Sequence, residues 1–268
     1  MTPASAVTFE DIRETLRLQC PADKCDAVAR LWARAREAGV AYQSTRPVEA
    51  IGAPGRPDRP TLVAPQQVPR RRLGSTAGRA ALIHAIAHIE FNAINLALDA
   101  AYRFRDMPAA YYLDWLSVAS DEARHYKMLS RRLRSMGFEY GSFPAHNGLW
   151  EMAEATAGSC LERMALVPRV LEARGLDVTP GMIERLTEAG DGETVALLEV
   201  ILAEEVRHVE IGTRWFHHCC AGAGVDPDRT FLHLLRTRFA GRVRGPFNLD
   251  ARSRAGFSER EMKALQAG

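Results

Sequence analysis

Apolar residues recur at steps of three, four and seven through most of the chain beyond residue 76. This is the spacing of one face of an α-helix, and it predicts long helices with short or modest connections. Glycines follow three of them, as is common where a helix ends. The predicted helices cover residues 76–104, 108–136, 147–174 and 191–220. No stretch of the sequence shows the strict alternation that is typical of a β-strand.

The segments around these helices follow other patterns. Residues 8–39 are predicted to be helical in two pieces, broken near Pro21. Residues 44–74 are rich in proline, glycine and arginine, so we predict an extended segment that wraps over the helices, with a disordered linker as the alternative. Thr179-Pro180 has the form of an N-cap followed by proline at the first helical position, which predicts a short helix. A helix near 227–241 and a tail that is irregular and then briefly helical complete the chain.

These elements predict an all-α fold. We expect a four-helix bundle with extra N-terminal helices, an extended proline-rich wrapping segment and a C-terminal helix and tail. The expected organisation is one structural domain overall. Its parts are the N-terminal helices and wrapping segment (1–75), the bundle (76–222) and the C-terminal helix and tail packed on the bundle (223–268).

Composition narrows the classes of protein to consider. The chain has 268 residues, 47% hydrophobic and 25% charged, with a net charge of only +2, so no strong overall field favours nucleic acid or a membrane. No apolar run is long enough to cross a bilayer, and the first residues lack the pattern of a secretory signal. We therefore expect a cytoplasmic protein without a membrane partner.

The five cysteines predict neither a disulfide framework nor a zinc site. They lie at positions 20, 25, 160, 219 and 220, an odd number without C-x-x-C spacing. Adjacent residues on a helix point in different directions, which argues against zinc binding by the "HHCC" stretch at 217–220. We expect the cysteines to be packing residues.

Three glutamates lie in the middle of apolar helix faces. Residues three, four and seven positions from Glu90, Glu122 and Glu205 are mostly isoleucine, leucine, valine and alanine. An unpaired carboxylate at such a place would cost about 2–7 kcal/mol or more. Something positive must therefore meet these side chains, and a metal ion inside the bundle is the natural candidate.

Two of these glutamates begin a repeated motif. "DEARH" places His125 three residues after Glu122, and "EEVRH" places His208 three residues after Glu205. Glu90 and Glu122 each lie about 16 residues from the predicted turn near 106–107, so they reach the same height in an antiparallel pair. A similar count along the third helix selects Glu162, with Glu154 and then Glu151 as alternatives.

The resulting set is a single glutamate, a Glu-x-x-His motif, a single glutamate and a second Glu-x-x-His motif. This is the ligand pattern of di-iron and di-manganese carboxylate bundles. Carboxylates with one imidazole per metal suit iron or manganese, and the absence of thiolates disfavours a closed zinc site. The predicted metal ligands are Glu90, Glu122, His125, Glu162, Glu205 and His208.

Several stretches resemble a known family. "RRRLGSTAGRAALIHAIAHIEFNAINLALD", "DEARHY", "MALVPRVLEARGLDVTP", "EEVRHVEIGTRWF" and "GPFNLDARSRAGF" are similar to the DUF455 family of the ferritin-like superfamily, over about residues 45–260. More distantly, the chain resembles the MiaE-type tRNA hydroxylases. The resemblance implies a ferritin-like fold and a di-metal site, but it does not supply a substrate.

These observations favour a di-metal protein, most simply di-iron, that activates O2 to hydroxylate or otherwise oxidise a small organic substrate. We expect a monomer or homodimer, with manganese or a mixed iron–manganese pair as alternative metals. The alternative functions are an iron-oxidising or metal-handling protein without an organic substrate, and a non-catalytic helical bundle. In the last case Arg124 and Arg207 would complete a buried Glu–His–Arg network without metal.

Other candidate residues are given structural roles. His84 and His88 face away from Glu90, so we expect them to pack against the extended segment 44–74. Tyr126 follows a predicted ligand and is more simply a core residue. The arginine-rich tail could bind RNA, but pairing of its arginines with acidic residues of the protein is the favoured interpretation.

Overall fold

A computed structural model describes residues 5–42, 46–68, 72–239 and 243–267. Within these ranges the regular structure is helical, and the only strand-like pairings are isolated bridges at Val7–Val40 and Leu62–Ala145. The prediction of an all-α bundle fold is confirmed. The helices are α1 (Phe9–Arg17), α2 (Pro21–Ala38), α3 (Thr76–Arg103), α4 (Ala109–Ser135), α5 (Gly148–Ala155), α6 (Cys160–Leu166), α7 (Ala173–Glu188), α8 (Gly192–Ala223), α9 (Pro227–Leu234), α10 (Leu249–Arg254) and α11 (Glu259–Ala267).

The chain forms two compact units, Met1–Trp150 and Glu151–Gly268. In the first unit α3 and α4 pack side by side as an antiparallel pair, with α1 against α3 and α2 against α4. The side chain of Ser75 caps α3 by accepting a hydrogen bond from the backbone N–H of Gly78. The predicted break at Pro21 is confirmed, because Pro21 is the first residue of α2.

Helix α3 forms the core of the first unit. Contrary to the expectation from the sequence, it is long and apolar enough to cross a membrane, but 78% of its most apolar window is buried inside the protein. It is the one such helix among the described residues, and this pattern is typical of the core helix of a soluble protein. Helix α3 is buried on most sides because it packs against both α1 and α4. A helix enclosed by neighbours needs few polar residues on its surface.

The proline-rich segment lies on the first unit over its described part, residues 46–68. The indole N–H of Trp150 donates to the carbonyl of Gly52 at 3.1 Å, and Leu62 pairs with Ala145. Gly55 approaches the end of α1 so closely that a Cβ atom there would lie 2.2 Å from the carbonyl oxygen of Arg17. These contacts confirm an extended wrapping segment rather than a disordered linker.

The second unit is organised around α8, against which α6, α7 and the π-helical turn Val167–Glu172 pack. The prediction of one helix over 147–174 is wrong in two respects. Helix α5 ends at Ala155, and after a short break Ser159 caps α6. The chain then stays helical beyond Gly175 as far as Glu188.

Pro180 accordingly lies inside α7, not at the start of a new helix as predicted. Proline lacks the N–H group that would bond to the carbonyl four residues earlier, here that of Leu176. The side-chain amide of Asn248 donates to this carbonyl at 3.2 Å and replaces the missing bond. The tail thereby satisfies a polar group that the proline leaves open.

Three arginines of the tail have carboxylate partners inside the second unit. Buried Arg252 forms a two-pronged pair with Asp177, Arg238 pairs with Glu162 at 2.6 Å, and Arg254 pairs with Asp250. Buried Glu261 on α11 pairs with Arg169 at 2.7 Å. The pairs of Arg252 and Arg238 tie the tail to the elements before it, in the manner that the sequence favoured over RNA binding.

Candidate metal centre

The first unit brings together a carboxylate from each of its two longest helices. Glu90 lies on α3 and Glu122 on α4, at about equal distances from the connection between them, and both are buried. His125 lies one turn after Glu122 and is fully buried. Its Nδ1 atom is 3.1 Å from Oε2 of Glu90 and 3.5 Å from Oε2 of Glu122. The antiparallel pairing of α3 and α4 therefore creates this cluster.

The electrostatics of the cluster are dominated by negative charge. Burial alone lowers the pKa of His125, but hydrogen bonds and charges from Glu122 and Glu90 outweigh it and raise the pKa to about 11. The two carboxylates thus hold a cation at this place. A divalent metal ion would take over that role, and its binding would release the imidazole proton.

The second unit carries the other Glu-x-x-His motif on α8. Glu205 and His208 are buried, and Nδ1 of His208 lies 3.4 Å from Oε1 of Glu205. The spacing of three residues places both side chains on one face of the helix. This motif therefore repeats the arrangement of Glu122 and His125 on α4.

Three of the predicted ligands form a buried group within the first unit that could hold a metal ion. One ligand atom from each of Glu90, Glu122 and His125 lies within 4.8 Å of the other two. Two carboxylates and one imidazole, without a thiolate, suit a hard or borderline divalent ion such as iron or manganese. The residues present therefore fit a metal site.

The sequence also proposed Glu162, which the structure places elsewhere in the second unit. It lies in the first turn of α6, its side chain is 28% exposed, and its carboxylate accepts a hydrogen bond from Arg238 at 2.6 Å. Nothing tests the ligand role of Glu162, which stays a prediction. The alternatives Glu151 and Glu154 are exposed on α5.

Glu172 is a buried carboxylate that the sequence argument missed. It lies at the end of the π-helical turn Val167–Glu172 and is 8% exposed. Turns of this kind occur frequently at functional sites. The signal in the sequence was weak, because the predicted third helix ends near Arg174 and the level of its ligand depends on that end. Once the helix extends to Glu188, the count selects a different glutamate.

His84 and His88 contact the loop that follows α4. Nδ1 of His88 is 2.8 Å from the hydroxyl of Tyr140, and Nε2 of His84 accepts a hydrogen bond from the backbone N–H of Gly141. Burial lowers the pKa of each imidazole to about 4, so both are neutral at pH 7. The expected packing of the two histidines against residues 44–74 stays a prediction, although that segment pairs with the same loop at Leu62–Ala145.

The cysteines are all free, and Cys25 and Cys220 are buried. The absence of a disulfide framework is as predicted. Tyr126 is buried and packs against Phe91 and Tyr140, the core role that the sequence favoured.

Comparison with known proteins now adds to this geometry. A family described as "Protein of unknown function (DUF455)" matches residues 17–263. The chain belongs to the DUF455 family. A relative from Haemophilus influenzae (strain ATCC 51907 / DSM 11121 / KW20 / Rd), described as an uncharacterized protein, is 47% identical over 213 residues, which is 77% of this chain and 74% of that protein. No solved structure matches the chain.

The DUF455 match includes the buried group and both Glu-x-x-His motifs. The candidate centre therefore lies within the part of the chain that defines the family. The wrapping segment and the C-terminal tail up to residue 263 belong to the same match, so these extra elements are also part of the DUF455 region.

Proposed function

We propose that this DUF455 protein is a di-metal carboxylate protein of the ferritin-like type, which uses O2 to oxidise a small organic substrate. The observation that carries the proposal is the buried group of Glu90, Glu122 and His125, whose ligand atoms lie within 4.8 Å of one another, together with the second buried Glu-x-x-His pair, Glu205 and His208. A single structural ion pair would not require two buried carboxylates around one imidazole.

The second metal in this proposal is held by Glu205, His208 and Glu172. Helices α7 and α8 are joined by a turn around Gly190. Pro168 lies about 22 residues before this turn and Gly212 about 22 residues after it, and the two residues are in contact. Residues at equal distances from the turn therefore lie at the same height along the two helices. Glu172 and His208 each lie about 18 residues from the same turn, so they share a level.

Glu162 lies about 28 residues before Gly190, so it is at the same height along the helix axis as residue 218, about 28 residues after Gly190. That is about 15 Å along the helix axis from His208, because each residue of an α-helix adds about 1.5 Å. Glu172 therefore takes the place of Glu162 in the proposed ligand set. The pairing of Glu162 with Arg238 is consistent with a purely structural role.

The chain's own residues would bind and orient the metals. Glu90, Glu122 and His125 of the first unit would hold one ion, and Glu172, Glu205 and His208 of the second unit would hold the other. When bound, two divalent ions with accessible higher oxidation states supply the electrons needed to reduce O2. Burial of these six side chains excludes water and keeps reactive oxygen species from the solvent.

The test is the reaction of the reduced protein with O2. Anaerobic protein is loaded with ferrous iron, and oxygen consumption is followed with an electrode in the wild type and in Glu122→Ala. We expect rapid consumption by the wild type, in proportion to about two irons per chain, and at least a tenfold slower rate in the variant. Wild-type protein that consumes O2 no faster than ferrous iron alone would refute the proposal.

Repeated additions of ferrous iron distinguish the alternative of an iron-oxidising or metal-handling protein. An oxygenase stops after one round unless a substrate and a reductant are present. A metal-handling protein continues to oxidise and retain added iron beyond two per chain. Repeating the loading with Mn²⁺ identifies a manganese or mixed-metal centre.

A further inference from the structure

A cavity in the first unit lies beside the C-terminal turns of α4 and has a volume of about 540 Å³. This is within the range of pockets that bind small molecules. Residues of α2, α4, the wrapping segment and the loop after α4 line it. Its basic and aromatic side chains include Arg59, Tyr126, Lys127, Arg131, Arg134 and Tyr140.

The lining of this cavity carries an excess of positive charge. It includes four basic side chains and two acidic ones, Asp26 and Glu139. Lys127 pairs with Asp26 at 2.6 Å, which neutralises one basic group. Arg59 and Arg131 are exposed and form no ion pair within the part of the chain that the structure describes. The cavity therefore holds guanidinium groups whose charge the protein does not balance.

Arg131 and Arg134 lie three residues apart on one face of α4. Basic residues are favourable at a helix C-terminus on their own account, so this pair alone would not indicate a ligand. Nη1 of Arg134 is hydrogen-bonded to the hydroxyl of Ser130 at 3.3 Å, which limits the positions of its guanidinium.

Arg59 gives evidence that does not depend on the end of α4, because it lines the same cavity from the wrapping segment. Its position is fixed by a close approach to Gly141, where an added Cβ would lie 2.9 Å from the Cβ of Arg59. Gly141 has φ of +102°, a conformation that other residues rarely adopt. The loop thus fits closely against Arg59, which lines the same cavity as Arg131 and Arg134 although three positive charges repel one another.

Two tyrosines complete the wall of the cavity. The rings of Tyr126 and Tyr140 meet edge to face with centroids 5.2 Å apart. The hydroxyl of Tyr140 is held by His88 at 2.8 Å, which fixes the ring. A rigid aromatic wall beside unbalanced guanidinium groups offers one surface for an apolar group and another for an anion.

We propose that this cavity binds a small phosphorylated organic molecule. Arg59, Arg131 and Arg134 hold the phosphate, because guanidinium groups match its oxygens in charge and geometry. The organic part packs on Tyr126 and Tyr140. This proposal is independent of the metal centre.

The test is calorimetric titration at low ionic strength with AMP and glucose 6-phosphate, and with adenosine and glucose as their phosphate-free counterparts. Wild-type protein should bind at least one phosphorylated probe, and its phosphate-free counterpart at least tenfold more weakly. The double variant Arg131→Ala, Arg134→Ala and the single variant Arg59→Ala should each weaken binding at least tenfold. Arg36→Ala with Arg254→Ala removes two exposed arginines outside the cavity and should leave binding unchanged.

Three results would overturn the proposal. One is that no phosphorylated probe binds wild-type protein at millimolar concentration. Another is equal weakening by the cavity and control variants, which would indicate only a general effect of charge. The third is arginine-dependent binding of single-stranded RNA without binding of any small probe. Circular dichroism establishes that each variant is folded, and retention of binding by Glu122→Ala separates this site from the metal centre.

Discussion

Lys24 on α2 is fully buried, and its ammonium group donates hydrogen bonds to three oxygen atoms of the first unit. The acceptors are the carbonyls of Leu16 and Gly55 and the side chain of Asn95. This one side chain therefore connects α1, the wrapping segment and α3. Burial lowers the pKa of Lys24 to about 7.

Replacing Lys24 by methionine should destabilise the protein by roughly 2–4 kcal/mol, because three buried oxygen atoms lose their donor. Chemical denaturation measures this difference. Lys263→Met, at a largely exposed lysine, is the control and should change stability by less than about 0.5 kcal/mol.

The pH dependence of this difference has a defined sign. The unfolded chain keeps the proton of Lys24 up to about its usual pKa of 10.5, whereas the folded protein releases it above about pH 7. Wild-type stability relative to Lys24→Met should therefore rise between pH 7 and 10.5, by at most about 1.4 kcal/mol per pH unit. A constant or falling difference across this window would contradict the account.

His88 tests whether the histidines of "HAIAHIE" belong to the metal centre. His88→Ala should lower the free energy of unfolding by about 1–3 kcal/mol, since Tyr140 and Asn92 lose a hydrogen-bond partner. It should leave the metal content unchanged, whereas His125→Ala should lower it. Elemental analysis of both variants decides this, and metal loss in His88→Ala would place His88 at the site.

The sequence identified most of the candidate site because a carboxylate in an apolar helical face is conspicuous. Glu90, Glu122 and Glu205 could be recognised in this way, and His125 followed from its spacing. Glu172 could not, since it lies in a π-helical turn whose geometry departs from the regular period of 3.6 residues. Lys24 was also missed, because its three acceptors come from distant parts of the chain.

At the scale of the elements, α8 packs against the π-helical turn Val167–Glu172. This contact fixes the position of the second Glu-x-x-His motif along α8 relative to that turn. Gly212 lies one turn after His208, and a Cβ atom there would approach the ring of Pro168 to 2.3 Å. Both residues belong to the second unit. The absence of a side chain at position 212 thus permits the close packing of these two elements.

Gly212→Ala should destabilise the protein by about 1–3 kcal/mol through overpacking, although alanine is the better helix former. Gly222→Ala is the matched control on the same helix, because nothing lies within 4 Å of its added Cβ. The control should be neutral or slightly stabilising in thermal denaturation. Equal effects of the two substitutions would refute the packing argument.

Element boundaries were predictable where local signals and tertiary structure agree. Helices α3 and α4 match their predicted ranges within a residue or two, and Pro21 starts α2 as expected. Thr179-Pro180 misled, because its helix-start signal is local whereas the compensating bond from Asn248 comes from the tail. No local pattern reveals a donor about 70 residues away.

At the scale of the whole molecule, each of the two units contains one Glu-x-x-His motif. Metal bound only by the folded protein stabilises it by mass action, by about 2.7 kcal/mol at a concentration 100 times the dissociation constant. The predicted division of the chain at residues 75 and 222 stays a prediction beside the observed units, Met1–Trp150 and Glu151–Gly268.

The most direct measurement is the metal content of protein purified from cells supplemented with iron and manganese. It should be compared with the double variant Glu122→Ala, Glu205→Ala and with Glu162→Ala as the control. We predict about two ions per chain in the wild type and the control, and nearly none in the double variant. Wild-type protein without metal, which also takes up no ferrous iron under anaerobic conditions, would contradict the metal centre and the oxidation proposed for it.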